Sequence, residues 1–130
     1  MFLYTRKDFA CKCGCGFAAM DSGIEYSLKS LYSFLREKTS ALALSIHSGC
    51  RCQERNEKEG GAKKSYHLLG MALDFEVFDW SGKVPNKIIY EQLLSGAGCG
   101  GFYYTNTYIH LDLRPGLWKG GNRQPHSSEN

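Results

Sequence analysis

Two histidines and one aspartate, His67, Asp74 and His110, are the residues of this sequence whose types best suit metal chemistry. Imidazole nitrogens and a carboxylate oxygen are donors of catalytic zinc sites, which use three protein ligands and leave a fourth position open. The three residues are far apart in the sequence, so the fold must bring them together. The structural alternative is a surface histidine in a loop, a charge near a strand end and an interior histidine held by hydrogen bonds.

Two predicted strands carry the aspartate and the second histidine. The segment 71–77 alternates in hydrophobicity, which places Asp74 on the face opposite to its large apolar residues. The segment 108–114 alternates in the same way, so His110 and Asp112 share its polar face. This arrangement favours a metal site over the structural alternative.

The rest of the sequence predicts three helices and one further strand. Ser22 and Glu25 form a capping box at the start of the first helix. The predicted elements are a helix over 24–38, a strand over 41–46, a short helix over 50–58, and a helix that starts at Pro85 and ends in the glycines between 96 and 101.

The half-polar strands determine the predicted fold class. An antiparallel sheet can leave one face open to water or to a cleft, whereas a doubly wound parallel sheet is covered on both faces. We therefore predict an α+β fold: a small antiparallel sheet, helices packed on one face, and one cleft with a zinc site.

Length and composition predict a single domain with a short tail. The chain has 130 residues, 42% of them hydrophobic, and a formal net charge of +3. We place the domain at residues 1–119 and a flexible tail at 120–130. The charges are spread evenly, which argues against a nucleic-acid partner. No apolar stretch has the ~18 residues of a membrane span, and no secretory signal is recognisable, so we expect no membrane insertion and synthesis in the cytoplasm.

The six cysteines form a separate pattern. Cys11, Cys13 and Cys15 are clustered, Cys50 and Cys52 form a pair, and Cys99 is isolated. Cys11, Cys13 and Cys15 with Cys50 or Cys52, of which we favour Cys52, could supply four thiolates to a second, structural zinc ion. Disulfides formed after release from the cell, or buried free thiols, are the alternatives.

Five stretches around the candidate ligands form a specific set. They are Ser48-Gly49-Cys50-Arg51-Cys52, Asn56, Gly60-Gly61-Ala62, the segment from Ser65 to Asp74, and His110-Leu111-Asp112-Leu113-Arg114. Together they closely resemble the M15 family of zinc peptidases, which contains D-alanyl-D-alanine carboxypeptidases and peptidoglycan endopeptidases. The resemblance extends roughly over residues 9–118, and the motifs occur in the family's order.

The resemblance implies the roles of four residues. Zinc would be held by His67, Asp74 and His110, with water in the fourth place. Arg51 stands at the position of the family's arginine and would hold a substrate carboxylate or the developing oxyanion, which makes it both a catalytic and a substrate-binding candidate. A guanidinium suits either anion because it donates two parallel hydrogen bonds.

The general base is the part of the family pattern that this sequence lacks. Some members place a glutamate three residues before the last histidine ligand, where this chain has Thr107. Asp112 is the substitute that geometry favours; its alternative role is to orient His110. Ser65 and Tyr108 are the remaining substrate-binding candidates, which would line the cleft and bind the peptide backbone.

The function that the resemblance implies is a zinc metallopeptidase acting on peptidoglycan stem or crosslink peptides. It would be a D-Ala-D-Ala carboxypeptidase or an L-Ala-D-Glu type endopeptidase, with peptidoglycan peptides as partners and a monomeric state. A phage or prophage lysis enzyme, made in the cytoplasm and acting on the cell wall after release, would fit. A non-catalytic zinc-containing peptidoglycan-binding module is the main alternative, and a protein whose functional centre is the cysteine cluster is a third.

Overall fold

A computed structural model describes residues 2–4, 6–37, 42–62 and 65–123 and has the α+β fold that the sequence predicts. The α-helices in these ranges are α1 (Ser22–Leu35), α2 (Gln53–Lys58) and α3 (Asn86–Gly96). The strands are β1 (Ala43–Ser48), β2 (Ala72–Asp79), β3 (Gly82–Lys83), β4 (Gly100–Tyr104), β5 (Ile109–Asp112) and β6 (Leu117–Asn122). Short 3₁₀ helices cover Arg6–Phe9 and Tyr66–Leu69.

The strands form one sheet in the order β1-β2-β5-β4-β6, with β3 paired to β2. Pairings among these strands are antiparallel except for that of β4 with β6, which is parallel. The predicted sheet was antiparallel, so the parallel edge is a difference from the prediction. It arises because the chain leaves β5, passes the start of β4 and continues on the far side of β4, where the Gly100 N–H donates to the Gly116 carbonyl at 2.9 Å.

The sheet has one apolar and one polar face, as the alternation in β2 predicts. Leu73, Phe75 and Val77 are fully buried, whereas Asp74 and Glu76 point to the opposite face. Helices α1 and α3 supply core residues that pack with the apolar face, and the core includes Ile24, Leu28, Leu31, Leu35, Ile89, Leu93, Phe102, Ile109 and Leu111. The polar face is therefore left for the cleft.

The predicted helices are present with shifted ends. Helix α1 is capped by Asp21, whose Oδ1 accepts a hydrogen bond from the Gly23 N–H at 2.8 Å, so the predicted capping box of Ser22 and Glu25 is wrong. An aspartate carboxylate is at least as good an N-cap as a serine hydroxyl. Helix α2 begins at Gln53 rather than at residue 50, because Cys52 takes the N-cap position.

Three strands, β3, β4 and β6, were missed in the sequence, and β4 was missed because its glycines were interpreted only as the end of a helix. Gly100 and Gly101, taken as the stop of a helix, are the first residues of β4. A Cβ at Gly101 would lie 2.6 Å from the Asp112 carboxylate, and one at Gly100 would lie 2.8 Å from the Asp112 carbonyl. These glycines therefore allow β4 to approach β5, which is the usual meaning of a glycine inside a strand.

The division into a domain over 1–119 and a tail over 120–130 stays a prediction, but regular structure continues past residue 119. The sequence placed the start of a tail at residue 120, whereas β6 continues to Asn122. The Gly121 N–H donates to the Tyr90 hydroxyl at 3.0 Å, which ties this part of the chain to α3. Residues 124–130 lie outside the described ranges, so the tail itself stays a prediction.

Within the described ranges, no helix combines the length and apolar character needed to cross a bilayer.

Candidate metal centre

His67 lies in the short 3₁₀ helix that precedes β2, and hydrogen bonds hold both its backbone and its ring. The Ser65 hydroxyl caps this helix by accepting a hydrogen bond from the His67 N–H at 3.2 Å. The His67 Nδ1 is 2.6 Å from the carbonyl oxygen of Gly49. Because a carbonyl can only accept, Nδ1 carries a proton, and Nε2 lies 3.3 Å from the Asp74 Oδ2.

Asp74 and His110 lie opposite each other on neighbouring strands. The register of β2 and β5 pairs these two residues directly. The His110 Nδ1 is 2.7 Å from the Asp74 Oδ1, and the His110 Nε2 is 2.8 Å from the Asp112 Oδ2. The Tyr103 ring stacks on the His110 ring with centroids 4.6 Å apart and planes 17° apart. The imidazole of His110 is therefore held at both nitrogens and on one face.

The fold thus brings the three predicted metal ligands together. One donor atom from each of His67, Asp74 and His110 lies within 4.8 Å of the others, and all three side chains are buried. Two imidazole nitrogens and a carboxylate oxygen, each from a different structural element, are a donor set that suits a divalent transition metal. The residues present therefore fit a metal ion.

The charges in this cluster compensate each other. Burial alone would raise the pKa of Asp74, but His67 and His110 hold it well below its usual range. Burial alone would lower the pKa of His110, but Asp74 and Asp112 raise it to about 9. A proton and a metal ion consequently compete for the same nitrogen of His110.

Arg51 reaches the cluster from the loop before α2. Its Nη2 lies 3.5 Å from the Asp74 Oδ2, and the side chain is only 12% exposed. Its Nε–H donates to the Ser48 hydroxyl at 2.9 Å, and its Nη1–H donates to the Asn56 side-chain oxygen at 3.3 Å. These contacts fix the orientation of the guanidinium beside the cluster.

Asp112 is bound on both of its oxygens. The Arg114 Nε–H donates to Oδ1 at 2.8 Å and its Nη2–H donates to Oδ2 at 2.6 Å, while Oδ2 also lies against His110. Burial would raise the pKa of Asp112, but the hydrogen bonds from Arg114 and His110 hold it far below its usual range. A carboxylate with these contacts orients its histidine and accepts a proton poorly.

A cleft with a volume of about 990 Å³ opens over the cluster. The predicted residues Arg51, Ser65 and Tyr108 all line it, as does Thr107. The Tyr108 hydroxyl lies 3.2 Å from the Tyr103 hydroxyl. Arg51, Ser65 and Tyr108 thus line the same cleft as the metal cluster, and their binding roles stay predictions.

Several lining residues were missed in the sequence. His47 is the extra residue of a β-bulge in β1, between Ile46 and Ser48. The predicted strand ended at Ile46 and so did not include His47. The bulge also puts Ser48 opposite Asp74 on the cleft side, where alternation from Ile46 would not place it. Tyr103 lies on β4 and Arg123 directly follows β6, two strands that the sequence prediction lacked. Trp118 on β6 also lines the cleft.

Comparisons with known proteins agree with the motifs. The family model described as Peptidase M15 matches residues 3–112. A probable peptidoglycan L,D-endopeptidase MepK of Haemophilus influenzae is 37% identical over 67 residues, which are 51% of this chain and 34% of that protein. The peptidoglycan L,D-endopeptidase MepK of Escherichia coli K12 is 36% identical over 61 residues, which are 47% of this chain and 32% of that protein. The match spans about a third of these relatives, and no solved structure matches the chain significantly.

Proposed function

Because the chain belongs to the M15 peptidase family, we propose that it is a zinc-dependent peptidase that cleaves stem or crosslink peptides of peptidoglycan. The observation that carries the proposal is the convergence of His67, Asp74 and His110 within an open cleft. The relatives are L,D-endopeptidases of peptidoglycan by name, which favours an endopeptidase over a D-Ala-D-Ala carboxypeptidase.

The three ligands would hold zinc with one position left for reactants. When bound, zinc supplies Lewis acidity, which acidifies a water molecule and polarises the scissile carbonyl. His67 contributes Nε2, because its Nδ1 proton is engaged by the Gly49 carbonyl. His110 contributes Nδ1, because its Nε2 is engaged by Asp112. This division leaves each ring with one nitrogen for the ion and one that fixes its orientation.

Arg51 would bind the anionic part of the substrate. Its guanidinium lines the cleft beside Asp74, and Ser48 and Asn56 fix it in place. A peptide carboxylate or the oxyanion that develops at the scissile carbonyl can accept its hydrogen bonds. The role predicted for Arg51 in catalysis and substrate binding is thus retained in the proposal.

For Asp112 we favour the orienting role over that of a general base. Both of its oxygens are occupied by Arg114 and His110, and it is almost fully buried. Asp112 would therefore be a positioning residue for His110. Thr107 provides a hydroxyl but no carboxylate, and this hydroxyl lies 3.1 Å from that of Thr105.

Ser65 and Tyr108 would contact the peptide backbone from the cleft wall. The Ser65 hydroxyl already accepts the His67 N–H, and its own proton can be donated to a substrate carbonyl. Tyr108 lies beside Tyr103, so the two hydroxyls together offer a donor and an acceptor.

The setting that we propose is the bacterial cell wall, reached by a monomeric phage or prophage lysis enzyme after release from the cytoplasm.

The test uses defined muropeptides and mass spectrometry of the products. The purified chain should split the peptide within the stem or crosslink, and a chelator should abolish this activity until zinc is restored. His67→Ala should abolish cleavage, and Arg51→Ala should lower kcat/KM by roughly 10²-fold or more. Lys58→Ala is the matched control, because Lys58 is an exposed cation on α2 whose ion pair with Glu54 is long, at 3.7 Å, and it should leave activity unchanged.

Two outcomes would change the conclusion. Release of a single D-alanine would identify a carboxypeptidase. Binding of peptidoglycan without any new amino terminus, with binding abolished in the His67→Ala variant, would favour the non-catalytic module that the threonine at position 107 suggests.

A further inference from the structure

Four cysteine sulfurs meet at a place outside the cleft. Cys11, Cys13 and Cys15 lie in the loop between the first 3₁₀ helix and α1, and Cys52 precedes α2. The Sγ atoms of Cys11 and Cys13 are 3.4 Å apart, those of Cys13 and Cys52 are 3.6 Å apart, and those of Cys11 and Cys52 are 3.7 Å apart. The Cys15 sulfur lies within 4.8 Å of these three.

We propose that these four cysteines bind a zinc ion as thiolates, separately from the His67, Asp74 and His110 site, and that this ion fastens the N-terminal loop to the loop that carries Arg51. Sulfurs placed tetrahedrally at about 2.3 Å from zinc are about 3.8 Å from each other, which is close to the observed separations. The inference concerns a second site and does not depend on the peptidase proposal.

Backbone amides support negative charge on these sulfurs. The Cys52 N–H donates to the Cys11 Sγ at 3.4 Å, and the Arg55 N–H donates to the Cys52 Sγ at 3.4 Å. N–H groups directed at sulfur are a common second layer of thiolate metal sites. Gly14 and Gly16 have φ values of 82° and 90°, a conformation that lets the loop turn tightly enough to bring alternate cysteines together.

Cys50 has different contacts and serves as an internal contrast. It is buried, and its Sγ is 3.2 Å from the Phe9 carbonyl and 3.1 Å from the Phe17 carbonyl, with the Ala19 N–H donating to it at 3.3 Å. Its hydrogen bonds are thus satisfied by backbone groups. Of the two cysteines that the sequence offered as the fourth ligand, the structure brings Cys52 to the cluster.

The ion proposed at the four cysteines would have a structural role, which is to order the N-terminal loop. The loop from Cys11 to Cys15 has no regular secondary structure, and apart from Cys11 its residues are exposed. Such a segment gains little from hydrophobic burial, so a metal ion is an effective way to order it. Since Cys52 directly follows Arg51, the ion would also restrain the backbone from which that arginine enters the cleft.

The experiment measures metal in a variant without the histidine ligands. The full chain with His67→Ala and His110→Ala, purified in the presence of zinc and a reductant, should retain roughly one zinc per chain. Adding Cys13→Ser and Cys15→Ser should remove it, whereas adding Cys99→Ser should not, since Cys99 is an exposed cysteine outside the cluster. With cobalt in place of zinc, a near-ultraviolet sulfur-to-cobalt charge-transfer band should appear in the variant without the two histidines and in the same variant with Cys99→Ser. The variant that also carries Cys13→Ser and Cys15→Ser should lack this band.

A second measurement on the unmodified chain covers the case in which a variant fails to fold. An organomercurial that binds thiolates should release about one zinc equivalent, detected with a chromogenic chelator. Failure of the mercurial to release zinc, absence of the cobalt band, or disulfides among these four cysteines in the freshly purified reduced protein would overturn the proposal. None of these outcomes bears on cleavage of muropeptides, so the two proposals can fail separately.

Discussion

Asp74 is the side chain that connects the parts of the candidate site. It faces Arg51, His67 and His110, each through a nitrogen within 3.5 Å. The sequence predicted the three ligands because alternation placed Asp74 and His110 on polar strand faces and the family motifs supplied His67. It could not predict the contact with Arg51, because that depends on how the loop before α2 folds back over β2.

Replacing Asp112 separates its two conceivable roles. If it orients His110, Asp112→Asn should weaken zinc binding by about 10-fold to 100-fold, and excess zinc should restore most of kcat. The measurement is the zinc dissociation constant together with kcat at saturating zinc. The control is Glu54→Gln on the exposed side of α2. If the zinc affinity of Asp112→Asn is unchanged while its kcat falls steeply, Asp112 is instead the general base.

Zinc affinity should depend on pH through His110. Its pKa is raised to about 9, so below that pH zinc must displace a proton from the ring. The apparent affinity should rise by about one decade per pH unit from neutral pH and level off near pH 9. Competition with a chelator of known affinity measures this. Asp112→Asn, which removes one of the carboxylates that raise the pKa, should move the plateau to lower pH; an affinity that is flat between about pH 7 and 9 would contradict the assignment.

At the level of elements, the alternation of apolar and polar residues predicted the strands that have one buried face. It did not predict the strands that are rich in glycine. The faces of β2 follow from sequence because Leu73, Phe75 and Val77 have to leave water. In β4, Gly100 and Gly101 allow close contact with Asp112 of β5, and in β6 Gly120 lies against Tyr103 of β4. Such contacts leave no periodic signal. The β-bulge at His47 likewise interrupts the alternation, so that Ser48 shares the cleft face with Asp74.

The turn after α2 has a glycine that supports Arg51. A Cβ at Gly61 would overlap the Asn56 side-chain oxygen and come within 3.0 Å of the Arg51 Nη1. Gly61→Ala should therefore displace the guanidinium and lower kcat/KM by roughly 10-fold to 100-fold, with little change in zinc content. Gly98→Ala is the matched control, because a Cβ there meets nothing within 4 Å. Equal activity of the two variants would show that Arg51 needs no support from this turn.

At the scale of the whole molecule, two hydrogen bonds attach the end of β6 and the residue after it to the rest of the domain. The backbone N–H of Arg123 donates to the Tyr104 carbonyl at 2.7 Å, and Gly121 binds the Tyr90 hydroxyl. A chain that ends at Lys119 loses both bonds and half of β6, so its Tm should be lower by roughly 5 °C or more. A chain that ends at Arg123 is the control, measured by the same thermal melt. Equal melting of the two shortened chains would support the domain end at residue 119.

The parallel pairing of β6 has a consequence for how the protein is made. Trp118 and Arg123, from β6 and just beyond it, complete one wall of the cleft, whereas the metal ligands lie earlier in the chain. During translation the ligands leave the ribosome first, and the wall can close only after the whole of β6 has followed. A nascent chain thus contains the candidate ligands His67, Asp74 and His110 before the cleft beside them has its complete wall.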